Sequence, residues 1–379
     1  MKGAYLCSAN TERLEGNAGV FRKVIAQAAT LAELTGPCPV VFYEPPIGRI
    51  GKAIARLPFT GGGNTFPNPA SLADCDYIYI RKPHITKEFI RFLKVQREVC
   101  GDGLLILLEL PTYPYDKELS EFKNLSLLAK DRAGRKKLSG LVDRIVTFSE
   151  DDEIFGIPTI KSFNGIDLRA IGLRKCDWEP SKNGLLEILC CARFSKWHGA
   201  DRLVAGLRDY YAMGGTRDLR VHMLGEGPEL QRLVSMTRDG GLEDKVLFHG
   251  FQQQASMDEF YDRCSLAVGS LGLHRLGLAG ASTLKSREYL AKGIPFIYSG
   301  EIDVLTGVEF RYAQQMPSDD SPINIASLIE FHDRLYAQST QAEVARRMRD
   351  FATANVSMER AMAPVADFIV ASRERARDR

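Results

Sequence analysis

The chain has 379 residues, 45 % of them hydrophobic and 26 % charged, with a net charge of +2. That is long enough for two domains with separate cores and ordinary for a soluble globular protein, with no global field to attract nucleic acid. Eight scattered cysteines without a CxxC pair read as free thiols in a reducing cytoplasm, and the N-terminus turns polar after Cys7, too early for a signal peptide.

In chain order, the first half repeats a strand-then-helix rhythm that argues for a parallel sheet covered on both faces. Ala4 to Cys7 reads as a strand, and a polar loop ending Asn17-Ala18-Gly19 leads into a helix from about Val20 to Leu34. Strands follow at Val40–Tyr43 and Tyr77–Ile80, then a helix at Phe89–Cys100. Three consecutive glycines and three prolines make residues 58–70 a loop. Leu104–Leu108 is an apolar strand running into Glu109 and a proline-rich turn with Tyr113 and Tyr115. Further strands are expected at Ile145–Phe148 and Ile157–Ile160, the second followed by Asn164-Gly165-Ile166-Asp167.

Polar residues 175–184 read as a linker, giving domains 1–176 and 184–355. The rhythm restarts with strands at Leu186–Cys191, Leu219–Leu224, Val246–Phe248 and Leu266–Val268, separated by helices. Small residues 279–283 lead into a helix from Leu284, with Leu284, Tyr289 and Leu290 on an inward stripe and Arg287 and Lys292 pointing away. Gly293 ends it, and Ile294 to Tyr298 form a strand. The tail is helical, and residues 356–379 are expected to cross back to the first domain.

In open parallel sheets, ligands bind beyond the carboxyl ends of the strands. Arg193, Lys196 and His198 fall in such a place after strand 186–191, where a guanidinium fork suits a diphosphate and a solvated loop arginine is the plainer reading. Gly225-Glu226-Gly227 follows the next strand. Its glycines either admit a planar ring or form a simple turn. The start of the Leu284 helix offers backbone N–H groups and a positive dipole end to a phosphate. Glu109, at a strand end facing a cleft, would orient a hydroxyl or act as a base, or else is merely solvated. His222, inside a strand, reads as packed. Asp74-Cys75-Asp76 lies at the wrong sheet edge for a site, and the six histidines show no ligand spacing, so no metal or other cofactor is expected. Residues 130–144 carry six basic and two acidic side chains. They read as a solvated helix face or, together with Lys87, Arg91 and Lys94, as a contact for anionic lipid.

Together the segments ARFSKWHGADRLVAGL (192–207), HMLGEGPELQRL (222–233), KVLFHGF (245–251) and STLKSREYLAKGIPFIYSG (282–300) resemble retaining GT-B glycosyltransferases of the family 4 type. The resemblance is closest to bacterial enzymes of surface and capsular polysaccharide synthesis. DRIVTFSE (143–150), NGID (164–167) and ELPTYPYDKE (109–118) resemble the same group. The resemblance implies an α/β fold of two Rossmann-like, doubly wound domains facing across a cleft. It implies transfer of a sugar from a UDP- or GDP-sugar to a saccharide or lipid-linked acceptor, with retention at the anomeric carbon and without a metal. A cytoplasmic protein on the inner face of the plasma membrane is the matching location.

Carried over by position, Arg193 would bind the donor diphosphate with Lys196 and His198, and Glu288 its ribose. Ser282, Thr283 and Leu284 would cradle phosphate, and Gly225, Gly227 and Phe251 would flank the base. Asn17, Gly19 and Tyr113 would line the acceptor side. The chain departs from the pattern twice: His198 stands where lysine is usual, and Gly280 where a glutamate is. His274, Arg275 and Lys285 are the candidates to make the missing sugar contact, and Arg193, Glu109 and Lys285 are the candidate catalytic residues. Two other classes stay open: a GT-B-like nucleotide-binding subunit without activity, and, less favoured without a G-x-G-x-x-G after the first strand, a dehydrogenase or epimerase.

Overall fold

The computed structural model describes residues 1–10, 18–46, 48–57, 60–116, 124–176 and 184–377. Two units divide the chain, Met1–Asp167 with Ser357–Arg379, and Leu168–Val356. The first change of unit precedes the polar stretch 175–184, of which residues 177–183 lie outside the described residues.

In the first unit seven strands form one sheet: β1 (Gly3–Ser8), β2 (Val40–Tyr43), β3 (Tyr77–Arg81), β4 (Leu105–Leu110), β5 (Arg144–Thr147), β6 (Glu153–Ile154) and β7 (Ile157–Lys161). Their order is β2-β1-β3-β4-β5-β7-β6, with only the β6–β7 pair antiparallel. Side chains alternate between faces, and both faces are covered, so the strands read as unbroken apolar runs. Ile78, Ile80 and Leu108 join one core with Phe89 and Leu93. Tyr5, Tyr79 and Leu107 join another with Val24, Leu31, Met362 and Ile369. The helices are α1 (Ala18–Thr35), α2 (Gly48–Ala55), α3 (Lys87–Cys100), α4 (Leu125–Arg135) and the final helix, α11 (Met358–Arg377). Gly165 of the NGID segment has a packing role: a Cβ there would come within 2.7 Å of Ala361 Cβ and 3.0 Å of Met358 Cα.

The second unit holds β8 (Leu186–Cys191), β9 (Leu219–Leu224), β10 (Val246–Gly250), β11 (Leu266–Val268), β12 (Phe296–Ser299) and β13 (Ala313–Met316). All pair in parallel, in the order β10-β9-β8-β11-β12-β13. The helices here are α5 (Ala200–Ala212), α6 (Leu230–Asp239), α7 (Gln254–Arg263), α8 (Leu284–Lys292), α9 (Ile325–Tyr336) and α10 (Gln341–Asn355).

Two expectations are corrected here. Arg287 and Lys292 do not point away from the core but are buried. Arg287 forks both oxygens of Asp303 at 2.6 Å, and Lys292 meets Asp258 at 2.7 Å; a buried cation in a helix is tolerated when so paired. Leu284, expected inward, is only half-buried. Residues 130–144 are not one helix face either. α4 ends at Arg135, Asp131 is fully buried between Tyr115 and Arg135, and Arg144 opens β5.

Candidate functional site

The strand order of the second unit is two βαβαβ halves running outward from β8 in opposite directions. The loops after β8 and β11 therefore part company, and the crevice they leave at the carboxyl end is where such sheets hold nucleotides. Arg193, Lys196 and His198 lie on the first loop, His274 and the start of α8 on the continuation of the second.

The β8 loop is pinned by its backbone. Ala192 N–H donates to Leu224 O at 2.9 Å, Phe194 N–H to Glu226 O at 2.8 Å, and Glu229 N–H to Phe194 O at 3.0 Å. Ala192 and Phe194 are buried, and Arg193 between them is exposed. Gly225 and Gly227 make this contact possible. With φ of 122° and 153°, a Cβ would fall 2.0 Å from Ala192 O and 2.4 Å from Phe194 O. Gly225 N–H also reaches Gly250 O at 2.7 Å, and Phe251 just beyond is 49 % exposed.

His198 closes a one-turn helix, Lys196–His198, in which Ser195 N–H donates to its Nδ1 at 3.3 Å. An Nδ1 that accepts leaves the ring proton on Nε2, so the imidazole can donate there. Burial pushes the His198 pKa down to about 3, and neighbouring Lys285 pushes the same way. Lys285 Nζ is itself enclosed and meets no hydrogen-bond partner among the described residues. Burial lowers its pKa, against the opposing influence of Cys190 and Cys191 at the end of β8.

Thr283 caps α8, its Oγ1 accepting from Ser286 N–H at 3.4 Å, while Ser282 Oγ accepts from Arg287. Glu288, one turn in, is half-buried and hydrogen-bonded by the Tyr261 hydroxyl. Of the three candidates for the missing sugar contact, Arg275 is fully engaged, whereas His274 Nδ1 and Lys285 Nζ are enclosed and meet no partner among the described residues. Arg275 pairs with both oxygens of Asp201 at 2.8 and 3.0 Å and with Asp320 at 2.6 Å; His274 Nε2 meets Asp320 at 3.1 Å. A glutamate at Gly280 has no room, because a Cβ there would lie 2.7 Å from Glu301 Cβ and 2.8 Å from Glu301 O. Arg193, Lys196, His198, Gly225, Gly227, Phe251, Ser282, Thr283, Leu284, Lys285 and Glu288 thus share one end of one sheet.

Glu109, of the first unit, is a correction. It does not face a cleft but is fully buried. Oε2 accepts from Tyr79 Oη at 2.6 Å and Gln27 Nε2 at 2.8 Å; Oε1 accepts from Arg81 at 2.5 Å and Lys23 at 3.4 Å. Burial would raise its pKa, but Lys23, Arg81, Tyr79 and Gln27 hold it down at about 2. A carboxylate so fully bound is a poor proton acceptor. Lys23 also donates to Asn164 at 2.5 Å, which ties the NGID segment to α1. Lys23 and Gln27 sit i,i+4 on the face of α1 that buries Val24 and Leu31, a polar pair on an apolar stripe that the sequence reading missed. Tyr113 packs edge-on to Phe155 at 5.8 Å, Gly19 is exposed with open space around it, and Asn17 lies outside the described residues.

Among the described residues no group of three or more His, Cys, Asp or Glu is placed to hold a metal, and no helix is long and apolar enough to cross a membrane. All eight cysteines are free thiols. On the first unit, Lys87, Arg91 and Lys94 of α3 face Lys130 and Lys137 across a groove of about 340 Å³ floored by Ile90 and Ala133.

Residues 178–299 match the model of the family described as glycosyl transferases group 1. No curated protein matches the chain in sequence. Among solved structures, the chain is similar to Anabaena Alr3699/HepE in complex with UDP, with a TM-score of 0.63 at 16 % identity over 98 % of this chain and 100 % of that one. A glycosyltransferase from Rickettsia africae ESF-5 gives 0.61 at 14 %, covering 97 % and 98 %. The sucrose-phosphate synthase of Thermosynechococcus elongatus gives 0.61 at 14 %, covering 98 % and 100 %. The chain has the GT-B fold, and residues 178–299, in its second unit, are similar to the glycosyl transferases group 1 model.

Proposed function

We propose that the protein transfers a sugar from a nucleotide-diphosphate sugar to a saccharide or lipid-linked acceptor, with retention at the anomeric carbon, in bacterial surface polysaccharide synthesis. The observation that carries this reading is the enclosed, unpartnered Lys285 ammonium beside His198 at the switch point of the sheet. A buried cation without a counter-charge is costly, and an anion held there repays the cost. A diphosphate is the anion the surroundings suit. Arg193 offers a fork, His198 Nε2 a neutral donor, and the first turn of α8 a positive dipole end. As the bond to the anomeric carbon breaks, negative charge grows on the leaving phosphate, and these groups stabilise it in place of a metal.

Family resemblance supports retention by front-face attack, with a phosphate oxygen of the leaving group taking the acceptor's proton. Solved complexes of Alr3699/HepE hold UDP, UDP with glucose, and UDP-glucose, which favours UDP as the carrier here. Thermal shifts against UDP, GDP, ADP and dTDP test the choice, since only a ligand of the native state raises the midpoint. Arg193→Ala should lower transfer by two to three orders of magnitude with the fold intact; near wild-type turnover would remove Arg193 from the mechanism. Gly280, where a side chain cannot fit, favours one rival, an inactive binding subunit. Sugar transfer or donor hydrolysis by the purified protein decides against it.

The basic groove between α3 and α4 supports a peripheral position on the cytoplasmic leaflet, at about 1 kcal/mol per basic residue near an anionic surface. Absence of binding to phosphatidylglycerol-rich vesicles at low salt would end that part of the reading.

A further inference from the structure

The first unit has its own switch point. With β1 between β2 and β3, the loops after β1 and β3 leave in opposite directions, and the crevice at their carboxyl ends is the default ligand position of such a sheet. A cavity of about 310 Å³ lies there, formed by the ends of β1, β2 and β3 and by α2. None of the residues assigned above to donor or acceptor lines it.

Its lining has one sign of charge. Lys52 lies on α2 and Arg56 just past its end, Lys82 follows β3, and no aspartate or glutamate lines the cavity among the described residues. Lys82 is held in place over the Tyr115 ring, 3.7 Å from its centroid. The remaining polar side chains are neutral: Ser8, Asn10, Tyr43, the buried Asn64, and His84. Burial lowers the His84 pKa to about 4, Lys82 adds to this, and Asp131 opposes it. The ring is therefore uncharged near neutral pH. Its Nδ1 is enclosed and meets no partner among the described residues. A hydroxyl, both donor and acceptor, completes it in either tautomer.

We propose that this cavity binds a sugar ring bearing an acidic group, its hydroxyls against Ser8, Asn64 and His84 and its carboxylate or phosphate between Lys52, Arg56 and Lys82. The volume is at the small end for ligand pockets, matching one sugar ring rather than a nucleotide. The inference rests on the glycosyl-transfer reading in one respect, that this sugar belongs to the acceptor. It deepens that reading by naming the acceptor's class as an acidic saccharide.

Calorimetric titration of the full chain, without donor, tests it with glucuronate, glucose 6-phosphate, neutral glucose and inorganic phosphate as probes. Binding of glucuronate or glucose 6-phosphate at least tenfold tighter than glucose and inorganic phosphate is expected, and the preferred one of the two tells carboxylate from phosphate. The double variant K52Q/R56Q, at two exposed positions, should lose that tenfold preference while keeping the wild-type thermal shift with UDP. His84→Ala should weaken the acidic and the neutral sugar alike. No acidic-sugar binding, equal binding of glucose, or an unchanged preference in K52Q/R56Q would overturn the inference. If UDP still binds, that outcome leaves the proposed function standing. Acidic-sugar binding without any nucleotide binding would instead remove the donor reading and leave this site.

Discussion

Glu109 and Lys285 are both ionisable groups withdrawn from water, one in each unit, and their surroundings are opposite. Four donors converge on the Glu109 carboxylate, Lys23 and Gln27 from α1 and Tyr79 and Arg81 from β3. The Lys285 ammonium meets none among the described residues. The first is a closed electrostatic account that ties α1 to two strands of the sheet. The second is an open one, and an open one is what a binding site looks like before its ligand arrives. The comparison separates two charges that look equally conspicuous in the sequence.

The sharpest way to break it is to remove each charge and compare signs. Lys285→Met should cut sugar transfer by two to three orders of magnitude and abolish the thermal shift with UDP, while raising the stability of the ligand-free protein by about 1 kcal/mol. The pH dependence fixes the origin of that gain. The Lys285 pKa is depressed in the folded state, so its penalty is full below that pKa and fades as pH rises toward the unfolded value. The advantage of the variant in urea denaturation should shrink accordingly above neutrality. Equal stability curves at every pH would place the ammonium in water.

Glu109→Gln should do the reverse and cost roughly 3 kcal/mol of stability at pH 7, measured by denaturant titration. Its folded pKa is held near 2. The wild-type contribution is thus present above the unfolded value near 4.5 and lost as pH falls through 2. Wild type should lose stability more steeply than the variant across that acid window.

Gly225→Ala asks whether the loop carrying Arg193 is set by its neighbour's backbone. With a Cβ 2.0 Å from Ala192 O, a loss of about 2 kcal/mol and a fall in turnover are expected together, without a change in acidic-sugar binding. The smallest effect belongs to the basic groove. Changing Lys87, Arg91 and Lys94 each to Gln should weaken vesicle binding about fivefold per residue and leave transfer to a soluble acceptor unaltered.

Which features were legible follows from how locally each is encoded. Strands buried on both faces announce themselves as continuous apolar runs, LILLEL at β4 and LEILCC at β8. Arg193 and Gly225 stand out as candidates because each closely follows such a strand. α2 was not read, since Gly48 and Gly51 dilute its helical pattern, and β13, AQQM, is a polar edge strand. Arg287 looked solvated because its partner, Asp303, lies 16 residues on. Glu109 was misjudged for the same reason at longer range: Lys23 is 86 residues away and Arg81 28. The His84 cavity gathers the ends of strands and a helix distant in sequence, so no single stretch carries its signature.

One feature of the connectivity reaches beyond the sites. Helix α11 supplies Met362 and Ile369 to the core that α1 and β1 began, after the whole second unit has intervened. A ribosome therefore makes the last piece of the earlier unit only after the whole second unit. Until then α1 and its strands wait with one flank uncovered, and nascent chains stalled near residue 356 should be prime clients for chaperones.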